Sequence, residues 1–173
     1  MGFTTITDTR QYLTFKLADE IFALDVAKVR EILDFTTVTK VPQTPDFMRG
    51  VINLRGNVVP VVDMRLKFGM TMTEKTVNTC IIVTEVTING ETAVIGDLAD
   101  SVQEVIELEP DQIEPAPKIG MSIRTEFISG MGKRNGEFIM ILDMDRVFSS
   151  EELAVVQDAH DRLREREEEL VEA

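Results

Sequence analysis

The chain has 173 residues, of which 43% are apolar, and a formal net charge of −13. That size supports one hydrophobic core or two small lobes. The acidic charge argues against nucleic acid or an anionic membrane surface as the main partner. The longest apolar runs are far too short to cross a bilayer, and the first residues lack the regions of a signal peptide. We therefore expect a cytoplasmic protein without membrane insertion.

The first half of the chain predicts a tail and four strands. Residues 1–9 are polar and rich in threonine, as expected of a flexible N-terminal tail. The segment Tyr12–Leu24 alternates in polarity around a short turn, which predicts a β-hairpin. Two further strands, Phe47–Leu54 and Val58–Met64, flank a turn that contains glycine. Pro60 lacks a backbone donor, so we predict that its strand is an edge strand or carries a bulge.

The second half of the chain predicts two more hairpins. Cys80–Val83 and Glu91–Ile95 are joined through Asn89-Gly90, a dipeptide typical of two-residue hairpin turns. Asn135-Gly136 occupies a similar place between two later apolar runs, and such turns need positive φ angles. Many short strands with closely spaced turns indicate small barrels or sandwiches and argue against a parallel sheet.

The C-terminal region predicts a helix. Ser149–Glu152 matches a capping box, and Leu153 and Val156 come next at helical spacing, so we expect the first two turns to pack on the body. Most residues after Val156 are charged, which favours a solvated helix. The predicted organisation is a folded domain over residues 10–150 and a charged C-terminal helix over residues 151–173.

The chain contains an internal repeat. The segments Phe47–Phe68 and Phe127–Phe148 share six of 22 aligned positions, and Val29–Ile32 resembles Val102–Val105. Self-similarity at this scale indicates two related structural units. It also provides a control, because a residue present in both copies is demanded first by the fold. The identical pairs are Phe47/Phe127, Gly50/Gly130, Gly56/Gly136, Asp63/Asp143, Met64/Met144 and Phe68/Phe148.

Few residues could supply catalytic chemistry. The single histidine, His160, lies in the charged C-terminal region, and the single cysteine, Cys80, lies in an apolar run typical of a buried strand. Asp63 and Asp143 occur at the same strand end in both copies, which favours turn or cap chemistry over a catalytic carboxylate pair. We predict no catalytic residue, no cofactor and no metal site, and interpret the chain as a binding module, not an enzyme.

The segment Phe47–Gly56, followed by Val59–Asp63, resembles the CheW-like family of bacterial chemotaxis coupling proteins. The similarity runs from about Tyr12 to Phe148 and includes Ile21–Val26 and Gln112–Pro117. It implies an all-β fold of two small five-stranded β-barrels, of the SH3 or OB type, which are related by duplication and exchange segments.

The resemblance also implies a function. It predicts a non-enzymatic adaptor that joins the cytoplasmic tips of chemoreceptors to the regulatory domain of the histidine kinase CheA. Such a protein is expected to be monomeric when free and to be recruited to membrane-bound receptor arrays. By family correspondence, the partner-binding residues are Val29, Glu31, Gly50, Arg55, Val102 and Val105.

The repeat separates these candidates. Gly50 recurs in the second copy, so we interpret it first as a backbone requirement. Glu31 also recurs, which leaves a structural and a binding role open. Arg55 is matched by Asn135, and a hairpin turn does not need an arginine, so Arg55 is the best candidate for function. An ion pair between Glu31 and Arg55 would fix the wall of a groove between the two units.

Other functions stay open at this point. A CheW-like paralogue could couple a different chemosensory array to an output other than motility. CheV-type proteins add a receiver domain, for which this chain has no room. A small barrel could instead bind a ligand or an oligonucleotide, although an aromatic content of 6% without tryptophan supplies few stacking residues. Retention on single-stranded DNA at low salt would favour that alternative.

Overall fold

The computed structural model describes residues 10–88, 90–115 and 125–158. The predicted N-terminal tail, Asn89, His160 and the charged end of the C-terminal helix lie outside these residues. The described strands are β1 (Arg10–Leu17), β2 (Glu20–Asp25), β3 (Val29–Asp34), β4 (Met48–Leu54), β5 (Asn57–Asp63), β6 (Cys80–Ile88), β7 (Glu91–Ala99), β8 (Ser101–Leu108), β9 (Ile113–Glu114), β10 (Ile128–Arg134) and β11 (Glu137–Leu142).

The helices are short. Helices α1 (Met64–Lys67) and α2 (Met144–Val147) each follow the last strand of a repeat. Helix α3 covers residues 150–158 of the C-terminal region. Single 3-10 turns occur at Val26–Lys28, Pro110–Gln112 and Thr125–Phe127.

The strands form two sheets. The first sheet has the order β8-β1-β2-β11-β10-β9, and the second sheet has the order β3-β6-β7-β5-β4. The two orders correspond strand for strand under the repeat, with the two-residue β9 added to the first sheet. In the second sheet, an isolated bridge between Thr39 and Val51 occurs beside β4 in place of β9.

The N-terminal hairpin of each repeat pairs with strands of the other repeat. The β1–β2 hairpin pairs with β8 and β11, and the β6–β7 hairpin pairs with β3 and β5. The ladders β2–β11 and β5–β7 are parallel, whereas the remaining ladders are antiparallel. The predicted all-β fold of duplicated units with swapped segments is therefore confirmed. Within the described ranges, hydrogen-bonded ladders do not join the two outer strands of either sheet.

The two copies repeat the same local geometry. A β-bulge precedes Gly50 in β4 and Gly130 in β10. Asp63 and Asp143 cap the helices that follow, and each side chain accepts a hydrogen bond from the N–H two residues later at 3.1 Å. The prediction that these aspartates are caps is confirmed, and the reason is local, because a carboxylate satisfies N–H groups left free at a helix start.

Side-chain alternation along the strands produces three main groups of buried residues. One group packs on one face of the first sheet, and a second group packs on one face of the second sheet. The largest group, which we call the central core, is formed by the other face of each sheet. A row of aromatic rings connects the sheets across this core, in the order Phe15, Phe22, Phe68 and Phe127. The centroids of neighbouring rings lie between 5.7 and 5.9 Å from each other. Other members of the central core include Leu13, Leu24, Val62, Ile82, Ile95, Met140, Leu142 and Phe148.

The prediction for Pro60 is wrong. Strand β5 is internal to the second sheet, and the bulge of this hairpin lies in β4. The hairpin register makes Pro60 and Val51 a pair without mutual hydrogen bonds, so the β4–β5 ladder loses no donor. On its other side, β5 pairs with β7 only from Val61 onward. Proline is accommodated inside the sheet because its missing N–H faces the place where that ladder ends.

Helix α3 begins at the predicted capping box. Glu152 donates its backbone N–H to the Ser149 hydroxyl, and Ser149 donates its own N–H to the Glu152 carboxylate, both at 3.0 Å. Leu153 and Val156 are buried, which confirms that these turns pack on the body. Lys67 of α1 forms an ion pair with Glu152 at 3.2 Å and thereby ties α3 to the first repeat.

Candidate partner-binding surface

Glu31 and Arg55 form a bidentate ion pair between β3 and the β4–β5 turn. Arg55 Nη1 donates to Glu31 Oε2 at 3.2 Å, and Nη2 donates to Oε1. The hydrogen bond from Arg55 holds the pKa of Glu31 below its usual value, and the same contact raises the pKa of Arg55. The predicted ion pair is confirmed. Two parallel hydrogen bonds fix the orientation of the guanidinium group more tightly than one contact does.

The backbone at Arg55 disfavours an arginine. Arg55 and Gly56 have φ angles of 51° and 86°, which define the two-residue hairpin turn in which Asn-Gly is preferred. The second copy carries that preferred pair, Asn135-Gly136, with φ angles of 52° and 78°. A residue other than Gly, Asn or Asp pays about 1 kcal/mol in this left-handed conformation. The Arg55 side chain is 70% exposed, so neither the turn nor the core accounts for it.

The second copy contains a related ion pair whose arginine is displaced by one residue in the sequence. Arg134 lies one residue before Asn135, and its Nη1 is 3.6 Å from Oε1 of Glu104. Glu104 is the repeat counterpart of Glu31. An arginine–glutamate pair is therefore common to both copies. What distinguishes the first copy is that its arginine projects from the tip of the turn and makes two hydrogen bonds.

Val29 and Val102 occupy matching positions in the two sheets. Val29 pairs with Thr84 of β6, and Val102 pairs with Phe15 of β1. Both valines are half-buried and pack against the central core. Their equivalence under the repeat is confirmed. Because they contact the core, a charge introduced at either position would disturb the fold as well as any partner contact.

Val105 is the exposed aliphatic candidate. Its side chain lies on β8 and the residue is 53% exposed, while its repeat counterpart, Ile32, is 44% exposed. Single exposed aliphatic residues are common on protein surfaces. Here the exposure recurs at the same position of both copies, one residue after Glu31 and Glu104. Each repeat therefore has an exposed apolar side chain on the strand that carries the glutamate of its arginine–glutamate pair, and strand alternation turns the two side chains to opposite faces.

Gly50 is required by the backbone. Its φ angle is +145°, and a Cβ atom placed there would lie 2.1 Å from the carbonyl oxygen of Thr39. At Gly130, a Cβ atom would lie 2.6 Å from Cγ2 of Ile113. In both copies the glycine permits a neighbouring segment to cross close to the strand. Gly50 therefore shapes the surface through the backbone.

The ion pair of Glu31 and Arg55 borders a cleft of about 680 Å³ on the second sheet. Arg30 belongs to the same wall, and its Nε donates to Glu85 Oε1 at 2.7 Å. Arg30 was not among the sequence-based candidates, and a bulge in β3 leaves it out of the ladder and turns it outward. Gln157 of α3 also lines the cleft, and its sequence context gave no sign of this. The apolar residues that line the cleft include Leu54, Val59, Val83, Ala93 and Val94.

Two negative observations apply to the described residues. No group of three or more His, Cys, Asp or Glu side chains in them is arranged to hold a metal ion. Within the same ranges, no helix is both long enough and apolar enough to cross a membrane.

Comparison with known proteins matches residues 11–152 to the CheW-like domain model. The chain belongs to the CheW-like family. It is 36% identical over 149 residues to the chemotaxis protein CheW of Klebsiella aerogenes, which covers 86% of this chain and 87% of that protein. The chemotaxis protein CheW of Rhizobium meliloti is 36% identical over 143 residues, covering 83% of this chain and 90% of that protein.

A solved structure has the same fold. The scaffolding protein TtCheW from Thermoanaerobacter tengcongensis superposes with a TM-score of 0.73 at 34% sequence identity. The match covers 83% of this chain and 90% of that one. The CheW-like region accordingly includes both sheets, the hairpins that the two repeats exchange, and the residues Val29, Glu31, Gly50, Arg55, Val102 and Val105.

Proposed function

We propose that this protein is a non-enzymatic chemotaxis adaptor that couples chemoreceptor tips to the regulatory domain of CheA. Membership of the CheW-like family supports this proposal, as do relatives described as chemotaxis and scaffolding proteins. In this proposal the protein is cytoplasmic, monomeric when free, and recruited to receptor arrays. The strongest structural support comes from Arg55. It lies in a turn that disfavours arginine, and Glu31 orients its exposed guanidinium group.

The candidate residues have different roles in this proposal. Arg55 and Glu31 form a charged contact of fixed geometry, and Val105 contributes an exposed apolar contact. Val29 and Val102 support the surface from the central core, and Gly50 sets the path of the hairpin. Oriented charge beside apolar surface is a common composition for protein contacts, because the apolar part supplies affinity and the charge supplies specificity.

Receptor-stimulated kinase activity in a reconstituted mixture of receptor, CheA and this protein tests the proposal. Arg55→Asn removes the guanidinium and installs the residue that occupies the matching turn of the second copy. We expect receptor-stimulated activity to fall roughly tenfold, which corresponds to a loss of about 1.4 kcal/mol at the contact. The melting temperature should stay the same or rise, because asparagine tolerates a positive φ angle.

The matched control is Arg134→Asn, which removes the longer ion pair of the second copy. It should leave stimulation close to the wild-type level. Full stimulation by the Arg55→Asn protein would reduce Arg55 to an ordinary surface charge. A pull-down from native lysate addresses the function itself, and failure of receptors and CheA to co-purify would contradict the adaptor role.

A double-mutant cycle separates two versions of the contact. If Glu31 acts by orienting Arg55, the effects of Glu31→Ala and Arg55→Ala on assembly should be strongly non-additive. Additive effects would mean that the two side chains contact partners independently. Neither variant should unfold the protein, because exposed ion pairs contribute under about 1 kcal/mol to stability.

A further inference from the structure

Asp97 is a buried carboxyl group in β7 of the second sheet. Only 1% of the residue is exposed. The Thr84 hydroxyl donates to its Oδ2 at 2.6 Å, and its Oδ1 has no hydrogen-bond partner. A carboxylate in such a place lacks the cation or the several donors that normally stabilise a buried negative charge. The surroundings therefore favour the neutral acid.

The repeat shows that the fold does not need this carboxyl group. Asp97 pairs with Ile82 in the second sheet, and Leu24 pairs with Leu13 at the matching place of the first sheet. Ile82 and Leu13 match because they pair with equivalent residues of β3 and β8. The counterpart of Asp97 is thus a leucine of the central core.

Its partner Thr84 is also exchanged for an apolar residue. Thr84 pairs with Val29, and Phe15 pairs with the equivalent Val102, so Phe15 is the counterpart of Thr84. A carboxyl–hydroxyl pair in one copy therefore replaces a leucine–phenylalanine pair in the other. A polar pair at the joint of two sheets is less favourable than packed apolar side chains unless all its polar atoms are satisfied.

Charged groups on the surrounding elements do not compensate Asp97. Burial raises the pKa of Asp97 to about 7, and the hydrogen bond from Thr84 opposes that rise. Lys16 of β1 alternates with Phe15 and Leu17 of the central core and so points to the opposite face. Charged residues on the elements packed around β6 and β7 have partners elsewhere: Asp63 pairs with Arg49, Glu85 with Arg30, Arg65 with Asp100, Lys28 with Asp145, and Lys67 with Glu152.

We propose that the protonation state of Asp97 controls how tightly the two sheets pack against each other. The neutral carboxyl group completes the central core, and its ionisation weakens the packing of β6 and β7 against the first sheet. Because Thr84 pairs directly with Val29, the weakened region reaches β3. This inference concerns the fold alone and does not depend on the adaptor role.

The direction of the pH effect is set by linkage. The ordinary pKa of an aspartate is 3.8, and the folded value is about 7. Between those values the folded protein holds a proton that the unfolded chain releases. The stability contributed by neutral Asp97 is therefore complete below the lower value and is lost as the pH rises through the higher one.

Unfolding of the full chain between about pH 4 and about pH 8 tests the proposal. Asp97→Asn keeps the shape of the side chain and removes its titration. We expect the wild-type melting temperature to fall relative to that of the Asp97→Asn protein as the pH rises. The difference between the two should become constant once the pH exceeds the folded-state pKa of about 7. The control, Asp19→Asn, removes an equal charge from an exposed turn and should show a difference from wild type that does not vary in this way.

A titration of the unmodified protein decides the question even where the Asp97→Asn protein fails to fold. The carboxyl carbon of Asp97 can be followed by ¹³C NMR as the pH changes. A midpoint near 7 supports the proposal. A midpoint near 3.8, or wild-type and Asp97→Asn stability curves that stay parallel over the whole range, would overturn it.

Discussion

Gly50 and Gly56 both have positive φ angles, but their surroundings differ. A Cβ atom at Gly50 would overlap the Thr39 carbonyl oxygen, whereas nothing lies within 4 Å of a Cβ atom at Gly56. We expect Gly50→Ala to lower the free energy of unfolding by about 3 kcal/mol or more, because clash and backbone strain add. Gly56→Asn should cost under about 1 kcal/mol in urea unfolding. Equal losses would contradict the assignment of Gly50 to the backbone.

Val105 and Val29 differ in burial, so the same substitution should have different consequences. Val105 is 53% exposed, and Val105→Asp should change stability by no more than about 0.5 kcal/mol. If Val105 lies in the proposed contact, receptor-tip affinity should fall by on the order of a hundredfold in a titration. Val29→Asp brings a charge to the central core and should lower the melting temperature. If the Val105→Asp protein binds the receptor tip with unchanged affinity, Val105 is not part of the proposed contact.

Adjacent valines of α3 provide a test at the scale of one element. Val156 is fully buried against Val41, Met48, Val51 and Val58, whereas Val155 is 40% exposed. Val156→Ala should lower the free energy of unfolding by about 2 kcal/mol, because it leaves a cavity under the helix. Val155→Ala should change it by no more than about 0.5 kcal/mol. Similar effects of both changes, measured by chemical unfolding, would mean that α3 does not pack as described.

The exchanged hairpins govern the behaviour of the whole molecule. Each hairpin forms its ladders with the other repeat, so neither repeat contains a complete sheet. Val77 lies in the connection between the repeats and is fully exposed, which makes it a suitable place to divide the chain. We expect residues 1–77 and residues 78–173, produced separately, to show no cooperative unfolding transition alone. Mixed together, they should recover one transition. Independent folding of either half would contradict the exchange.

In two matching ion pairs between the repeats, the acidic and basic positions are exchanged. Arg65 of α1 donates to Asp100 at 2.7 Å, whereas Asp145 of α2, at the matching position, accepts from Lys28 at 3.0 Å. Each pair joins a helix of one repeat to the segment that comes after the hairpin of the other. The reversal favours pairing between unlike repeats, because joining two identical copies would place like charges together.

Features that depend on neighbouring residues could be predicted from the amino-acid sequence. Alternation and turn residues gave the hairpins, and the spacing of Ser149 and Glu152 gave the start of α3. The duplication identified Asp63 and Asp143 as caps. These predictions succeeded because the hydrogen bonds concerned close within a few residues, where side-chain type and backbone geometry are directly linked.

The contacts between distant segments became known from the three-dimensional fold. The residues did not show that each hairpin pairs with the other repeat, which the family resemblance alone implied. They also did not show that Pro60 lies inside a sheet, that Arg134 reaches Glu104, or that Asp97 is buried without a charged partner. The physical reason is that ladder pairing and burial are set by packing among segments far apart in the chain, which local periodicity does not specify.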